Sequence, residues 1–111
     1  MVTKSSVPKY GKLVSVTYLA LKDLGGSGKN DEINEKAAEL LGLSDEVLEI
    51  PHLNSTSLSE VNYRLAWART LLKKFGAISN SARSVWTINP EYSNINEVDG
   101  EAIYKEHKQS L

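Results

Sequence analysis

The hydrophobic period of this chain changes at Gly76, and that change limits what the chain can fold into. Before it, Val61, Leu65, Ala68, Leu72 and Phe75 recur at three- and four-residue spacing, the signature of one buried stripe on a helix. After it, Ala77-Ile78-Ser79 and Val85-Trp86-Thr87-Ile88 are short β-prone runs, separated by the polar turn Asn80-Ser81-Ala82-Arg83-Ser84. The pattern predicts a long helix that ends at Gly76 and leads directly into a small hairpin, closed by Asn89-Pro90. The start of the helix is also marked: Ser57-Leu58-Ser59-Glu60 fits the S-x-x-E capping box, in which each side chain satisfies the other residue's free backbone N–H.

Two further helices are expected upstream. Tyr10, Leu13, Val14, Thr17, Leu21 and Leu24 give an amphipathic helix over about residues 9–24, with Pro8 at its start and Gly25-Gly26-Ser27-Gly28 ending it. Ile33, Ala37, Leu40 and Leu41 line a second helix from Asn30, closed by Gly42, with Asp31 and Glu32 at the positive end of its dipole. Ser44-Asp45-Glu46-Val47 caps one or two more turns before Pro51. A last helical stretch near residues 97–108 has only Val98, Ala102, Ile103 and Tyr104 to bury.

At 111 residues the chain has room for one core. With no Cys it has no disulfide, thiolate nucleophile or Cys-based zinc site, and its two His stand 55 positions apart, which argues against a metal centre. No cofactor is expected. Gly25-Gly26-Ser27-Gly28-Lys29 lacks P-loop spacing and no Ser, His and Asp form a recognisable set, so this chain is not read as an enzyme. His52 is expected to be an exposed loop residue. No apolar run approaches membrane-spanning length, so a soluble, cytoplasmic protein without membrane contact is expected.

The formal net charge of -1 conceals segregated blocks. Residues 1–29 sum to +4, 30–50 to -6, 51–88 to +4 and 89–111 to -3. Blocks of this kind mean either two faces with different partners or merely solvated surface.

Helix, acidic helix, turn, basic helix, hairpin is the order of a winged helix-turn-helix, in which the last helix enters the major groove and the hairpin touches the backbone beside it. The expected fold is therefore mainly α with a small C-terminal β hairpin, as a winged helix-turn-helix over residues 8–92. Residues 1–7 form an N-terminal arm, and 93–111 a tail or linker that could be helical. On a helical wheel the face opposite the buried stripe carries Ser59, Tyr63, Ala66, Thr70 and Lys74, flanked by Asn62, Arg69 and Lys73. Asn and Arg can contact base edges, and Lys and Arg neutralise phosphates. The competing reading is a solvated helix face. Arg64, Lys29 and Asn30 complete the candidate set, the last two as a phosphate site at a helix N-terminus, and Arg83 stands at the hairpin tip. Trp67 is read as covering the core beneath the first helix or the tail, and Trp86 as anchoring the hairpin.

The run Tyr63-Arg64-Leu65-Ala66-Trp67-Ala68-Arg69 continuing to Lys73-Lys74-Phe75-Gly76, with Ala77-Ile78 and Ser84 to Ile88, resembles the N-terminal domain of Mrr-type restriction endonucleases, which are modification-dependent (type IV) enzymes. Asn30-Asp31-Glu32-Ile33 and Leu40-Leu41-Gly42-Leu43-Ser44-Asp45-Glu46 extend the likeness, which covers about residues 8–90. It implies a winged helix that binds double-stranded DNA, methylated DNA included, in a restriction system whose metal-dependent nuclease domain is absent from this chain. Two departures stand out: the family usually has Gly where this chain has Ser84, and commonly Gly where it has Ala66. Homodimerisation would raise the affinity. The alternative function is a protein-interaction or dimerisation module in which the acidic helix or the tail docks the partner.

Overall fold

A computed structural model describes residues 4–53 and 58–109. Five α-helices and one three-stranded antiparallel sheet are seen among them: α1 (Tyr10–Asp23), β1 (Ser27–Lys29), α2 (Asn30–Leu41), α3 (Asp45–Leu48), α4 (Glu60–Phe75), β2 (Ile78–Ala82), β3 (Val85–Ile88) and α5 (Gly100–Gln109), with short 3-10 turns at Lys4–Ser6 and Pro90–Tyr92. This is a mainly α, winged-helix-like fold.

The core follows the apolar periodicities. Leu13, Val14, Tyr18 and Leu21 of α1, Ile33 and Ala37 of α2, and Val61, Leu65, Ala68 and Leu72 of α4 are all fully buried. Gly42 and Gly76 take left-handed conformations (φ 64° and 102°) that end α2 and α4, a geometry that costs a side-chain-bearing residue about 1–2 kcal/mol. The cap of α4 differs from the expected box. Ser59 is the N-cap, its Oγ accepting from the Asn62 N–H at 3.1 Å, so α4 begins at Glu60 and Ser57 lies outside the described residues.

The hairpin is the outer part of a sheet with strand order β1-β3-β2. The glycine-rich segment after α1 does more than stop a helix: Ser27, Gly28 and Lys29 pair with Thr87, Trp86 and Val85. Only three residues pair, too few for a period of two to be visible in the sequence. Strand β2 pairs with β3 with an irregularity between Asn80 and Ala82, and Arg83 and Ser84 form the tip, Ser84 at φ 61°.

The segment beyond residue 92 belongs to the folded body. Helix α5 lies along α1, where the Gly100 N–H donates to Ser15 Oγ (2.9 Å) and Ser15 Oγ donates to the Val98 carbonyl (3.2 Å). The buried Tyr18 hydroxyl lies 2.8 Å and 2.7 Å from the carbonyl oxygens of Tyr92 and Ile95, which pins the connection between β3 and α5. Ile103 is buried against the same core. The segment expected as a tail or linker thus packs on the domain through α5.

Candidate nucleic-acid interface

Helix α4 presents two distinct exposed flanks. One carries Asn62, Ala66, Thr70 and Lys73, at three- and four-residue spacing, with Asn62, Ala66 and Lys73 exposed and Thr70 half-buried. The other carries Tyr63, Trp67 and Lys74 and turns toward α5. The only carboxylate of α4, Glu60, is on neither flank, because it is buried at 6% exposure.

Glu60 is held by two neighbours. Arg64 Nε donates to Glu60 Oε2 at 2.7 Å, and His52 Nδ1 lies 2.8 Å from Glu60 Oε1. Burial on its own would raise the Glu60 carboxyl's pKa, but the hydrogen bonds from His52 and Arg64 outweigh burial and hold it below its ordinary value. Arg64 also donates to the carbonyl oxygens of Val7 and Pro8, at 3.4 and 3.3 Å. The His52 ring stacks on Tyr63 with centroids 3.6 Å apart. His52 is therefore not the exposed loop residue expected from the sequence: it is half-buried and held against α4's first turn by Glu60 and Tyr63.

Arg69 requires the largest correction. Its wheel position is about 80° from the centre of the buried stripe, at the boundary between core and surface. The structure puts it inside, at 5% exposure, because α2 and β3 cover that flank. Arg69 Nη1 donates to Asn34 Oδ1 at 2.6 Å, and its guanidinium lies over the Trp86 ring at 6.0 Å. Burial pulls its pKa down while the nearby Asp31 works against that. Trp86 in turn donates from Nε1 to Asn30 Oδ1 at 2.7 Å. Asn30 is thus committed to the hairpin, and Trp86 anchors β3 as expected.

The α2 N-terminus is likewise occupied. The Lys29 N–H donates to Glu32 Oε1 at 2.8 Å, so a carboxylate already sits at the positive end of the helix, where a phosphate was expected to bind. Asp31 and Glu35 of α2 face Ser59 and Asn62 across a cleft at the α4 N-terminus. Arg83 is exposed at the hairpin tip.

The sequence-derived set therefore divides. Asn62, Lys73 and Arg83 are exposed, and Tyr63 is half-buried beside them. Ser59 is half-buried as the N-cap of α4. Arg64, Arg69 and Asn30 are turned into the fold, and Lys29 stands next to Glu32. Lys74, placed on the exposed face by the wheel, is exposed, whereas sequence reading missed the Glu60–His52 contact, whose partners are eight positions apart across the connection to α4. The wheel boundary at Arg69 was the available signal for its burial.

A family model described as the Mrr N-terminal domain matches residues 10–95. This chain belongs to the Mrr N-terminal domain family. No curated protein and no solved structure matches it. The match takes in α1 through the 3-10 turn after β3, so every element around α4 except α5 lies within the Mrr N-terminal domain. Among the described residues, no group of three or more His, Cys, Asp or Glu side chains is placed to hold a metal ion. Among the same residues, no helix is long and apolar enough to cross a membrane.

Proposed function

We propose that this domain binds double-stranded DNA as the target-recognition part of an Mrr-like restriction system, with α4 in the major groove and the β2–β3 hairpin beside it. The observation that carries the reading is the outer face of α4: Asn62, Ala66, Thr70 and Lys73 stand there with no carboxylate of the helix among them, since Glu60 is buried against Arg64, and Lys74 stands on the adjoining flank toward α5. Asn62 offers an amide for a base edge, Ala66 leaves room for close approach, and Lys73 and Lys74 meet phosphates. Ser59 lies at the near end of this face, and Tyr63 stands on the adjoining flank. Arg83 reaches the backbone or a narrow minor groove from the hairpin tip. Arg69 supports the reading face from within rather than touching DNA, and Asp31 and Glu35 keep the α2 side of the interface clear of phosphate.

Three exposed cations near the groove, Lys73, Lys74 and Arg83, imply a modest affinity. At about -0.9 per phosphate contact, the slope of log K against log salt is about -3. The test is a fluorescence-anisotropy titration of the chain against one duplex, unmethylated and methylated, at low and physiological salt. Binding should weaken with salt, and Lys73→Ala should flatten the slope by about one. A tighter complex with the methylated duplex ties the domain to modification-dependent restriction. A chain that binds neither duplex at low salt refutes the DNA reading in favour of a protein-interaction module.

A further inference from the structure

The second flank of α4 opens onto a cleft that the groove-facing residues leave unused. Tyr10 of α1, Tyr63, Trp67 and Leu71 of α4, and Tyr104 and Lys108 of α5 line a space of about 340 Å³. The chain has eight aromatic residues, two Trp, five Tyr and one Phe, so half of them converge here. Tyr10 and Tyr104 stack with centroids 5.5 Å apart, and Lys108 Nζ lies 5.6 Å from the centroid of the Tyr104 ring. Trp67 is 41% exposed, so its indole is not consumed by the core.

Aromatic walls of this kind suit either a planar ring or a cation. Lys108 decides between them. Its ammonium already lies over Tyr104, so a cationic guest would meet a like charge at the ring it needs, whereas a planar ring carrying a phosphate gains both a stacking surface and a counter-charge. A nucleotide has that chemistry. A base within an intact duplex has both faces covered by its neighbours and cannot enter, so the guest is a base out of the stack. The cleft adjoins the face of α4 assigned to DNA, Trp67 following Ala66 in the chain.

We propose that the cleft between α1, α4 and α5 takes an unpaired nucleobase of the bound DNA, stacked on Trp67 and the neighbouring tyrosines, with its phosphate on Lys108. This rests on the DNA-binding reading above and adds to it a preference for DNA in which one base is unpaired.

The experiment compares the full chain's binding to a fully paired duplex, to the same duplex with one bulged base, and to free dAMP, followed by anisotropy for the duplexes and by tryptophan emission throughout. The bulged duplex should bind about tenfold more tightly than the paired one and quench the emission, as loss or gain of one stacked base implies. Trp67→Ala and, separately, Lys108→Ala should reduce that preference without weakening binding to the paired duplex. Circular dichroism checks that each variant is folded, and because both side chains are solvent-accessible, either variant alone suffices for the comparison. Equal affinity for the two duplexes, or a preference that survives both substitutions, overturns the inference while leaving duplex binding in place. Quenching by dAMP as strong as that by the bulged duplex also overturns it, since the ligand would then be a free nucleotide. No binding to any DNA at low salt overturns the functional reading itself.

Discussion

The guanidinium of Arg69 lies 6.0 Å from the centroid of the Trp86 ring, and through this contact the middle of α4 is fixed to the central strand of the sheet. Both residues continue into α2: Arg69 to Asn34 at 2.6 Å and Trp86 to Asn30 at 2.7 Å, one helical turn apart. Four side chains thus set the angle between the outer face of α4 and the hairpin. A buried charge-assisted hydrogen bond is worth about 1.5–3 kcal/mol and a desolvated cation–π contact adds to it. Arg69→Ala should therefore lower stability by about 2–3 kcal/mol, read as a lower urea midpoint at unchanged slope. Arg69→Lys should recover little, because an ammonium cannot meet Asn34 while lying flat over the ring. A midpoint equal to that of the unaltered chain in Arg69→Ala would show that the angle is set elsewhere.

The hairpin tip carries a local strain. Ser84 is at φ 61°, a left-handed conformation that favours glycine, and it is the position where the Mrr resemblance finds Gly. Ser84→Gly relieves that strain at some entropic cost in the unfolded chain, for a net gain of about 0.5–1 kcal/mol. At this chain length the gain corresponds to a rise in thermal midpoint of about 2–6 °C. A lower midpoint in the glycine variant would mean that the Ser84 side chain contributes more than the strain it imposes.

Much of the architecture was legible because it is written in local signals. The 3.6-residue stripes of α1, α2 and α4, the Gly42 and Gly76 stops and the alternating β-prone runs each require only neighbouring residues, and the structure forms all of them. What was hidden depends on distant partners. Strand β1 exists because β3 offers it an edge 60 positions away, as the Ser27–Thr87 pairing shows. The inward turn of Arg69 depends on Asn34 and Trp86, which the wheel of α4 cannot see. Likewise α5 shows few apolar residues of its own, yet it is held by backbone contact through Gly100. Of the candidate interface, the exposed positions Asn62 and Lys73 followed from helical periodicity and Arg83 from the turn between two β-prone runs, whereas the residues turned into the fold required the fold.

Glu60 gives the domain a predictable acid sensitivity. Its folded pKa is held below the ordinary 4.5, with burial, which would raise it, outweighed by His52 and Arg64. A carboxyl depressed in the folded state adds stability that is fully present above the unfolded pKa and is lost as pH falls through the folded one. Stability should accordingly decline below about pH 4.5 through this group. Glu60→Gln should remove that part of the acid limb in a urea-midpoint series against pH. At neutral pH the same variant should be weaker by about 2 kcal/mol, because Arg64 keeps a half-buried charge without its counter-ion. An acid limb of unchanged steepness would assign the sensitivity to other carboxylates.

Helix α5 approaches α1 closely at Gly100, and that approach tests whether the C-terminal segment is part of the folding unit. A Cβ built on Gly100 would overlap the Gly11 carbonyl oxygen and the Ser15 hydroxyl, and one on Gly11 would strike the Glu101 side chain. The two cases differ in kind. At Gly11 the obstacle is the far end of a flexible carboxylate, which can swing away, whereas at Gly100 it is backbone and a hydrogen-bonded hydroxyl. Gly100→Ala must therefore push α5 off α1, with an overpacking cost of about 1–3 kcal/mol, and Gly11→Ala should cost distinctly less. Both follow from thermal midpoints of the two single variants. If α5 were merely a linker resting on the domain, Gly100→Ala would release it without lowering the midpoint, and amide exchange would show loss of protection in α5 alone. If α5 is integral, as the buried Ile103 and the Tyr18 hydroxyl's contacts beyond β3 argue, the midpoint falls and protection drops in α1 as well.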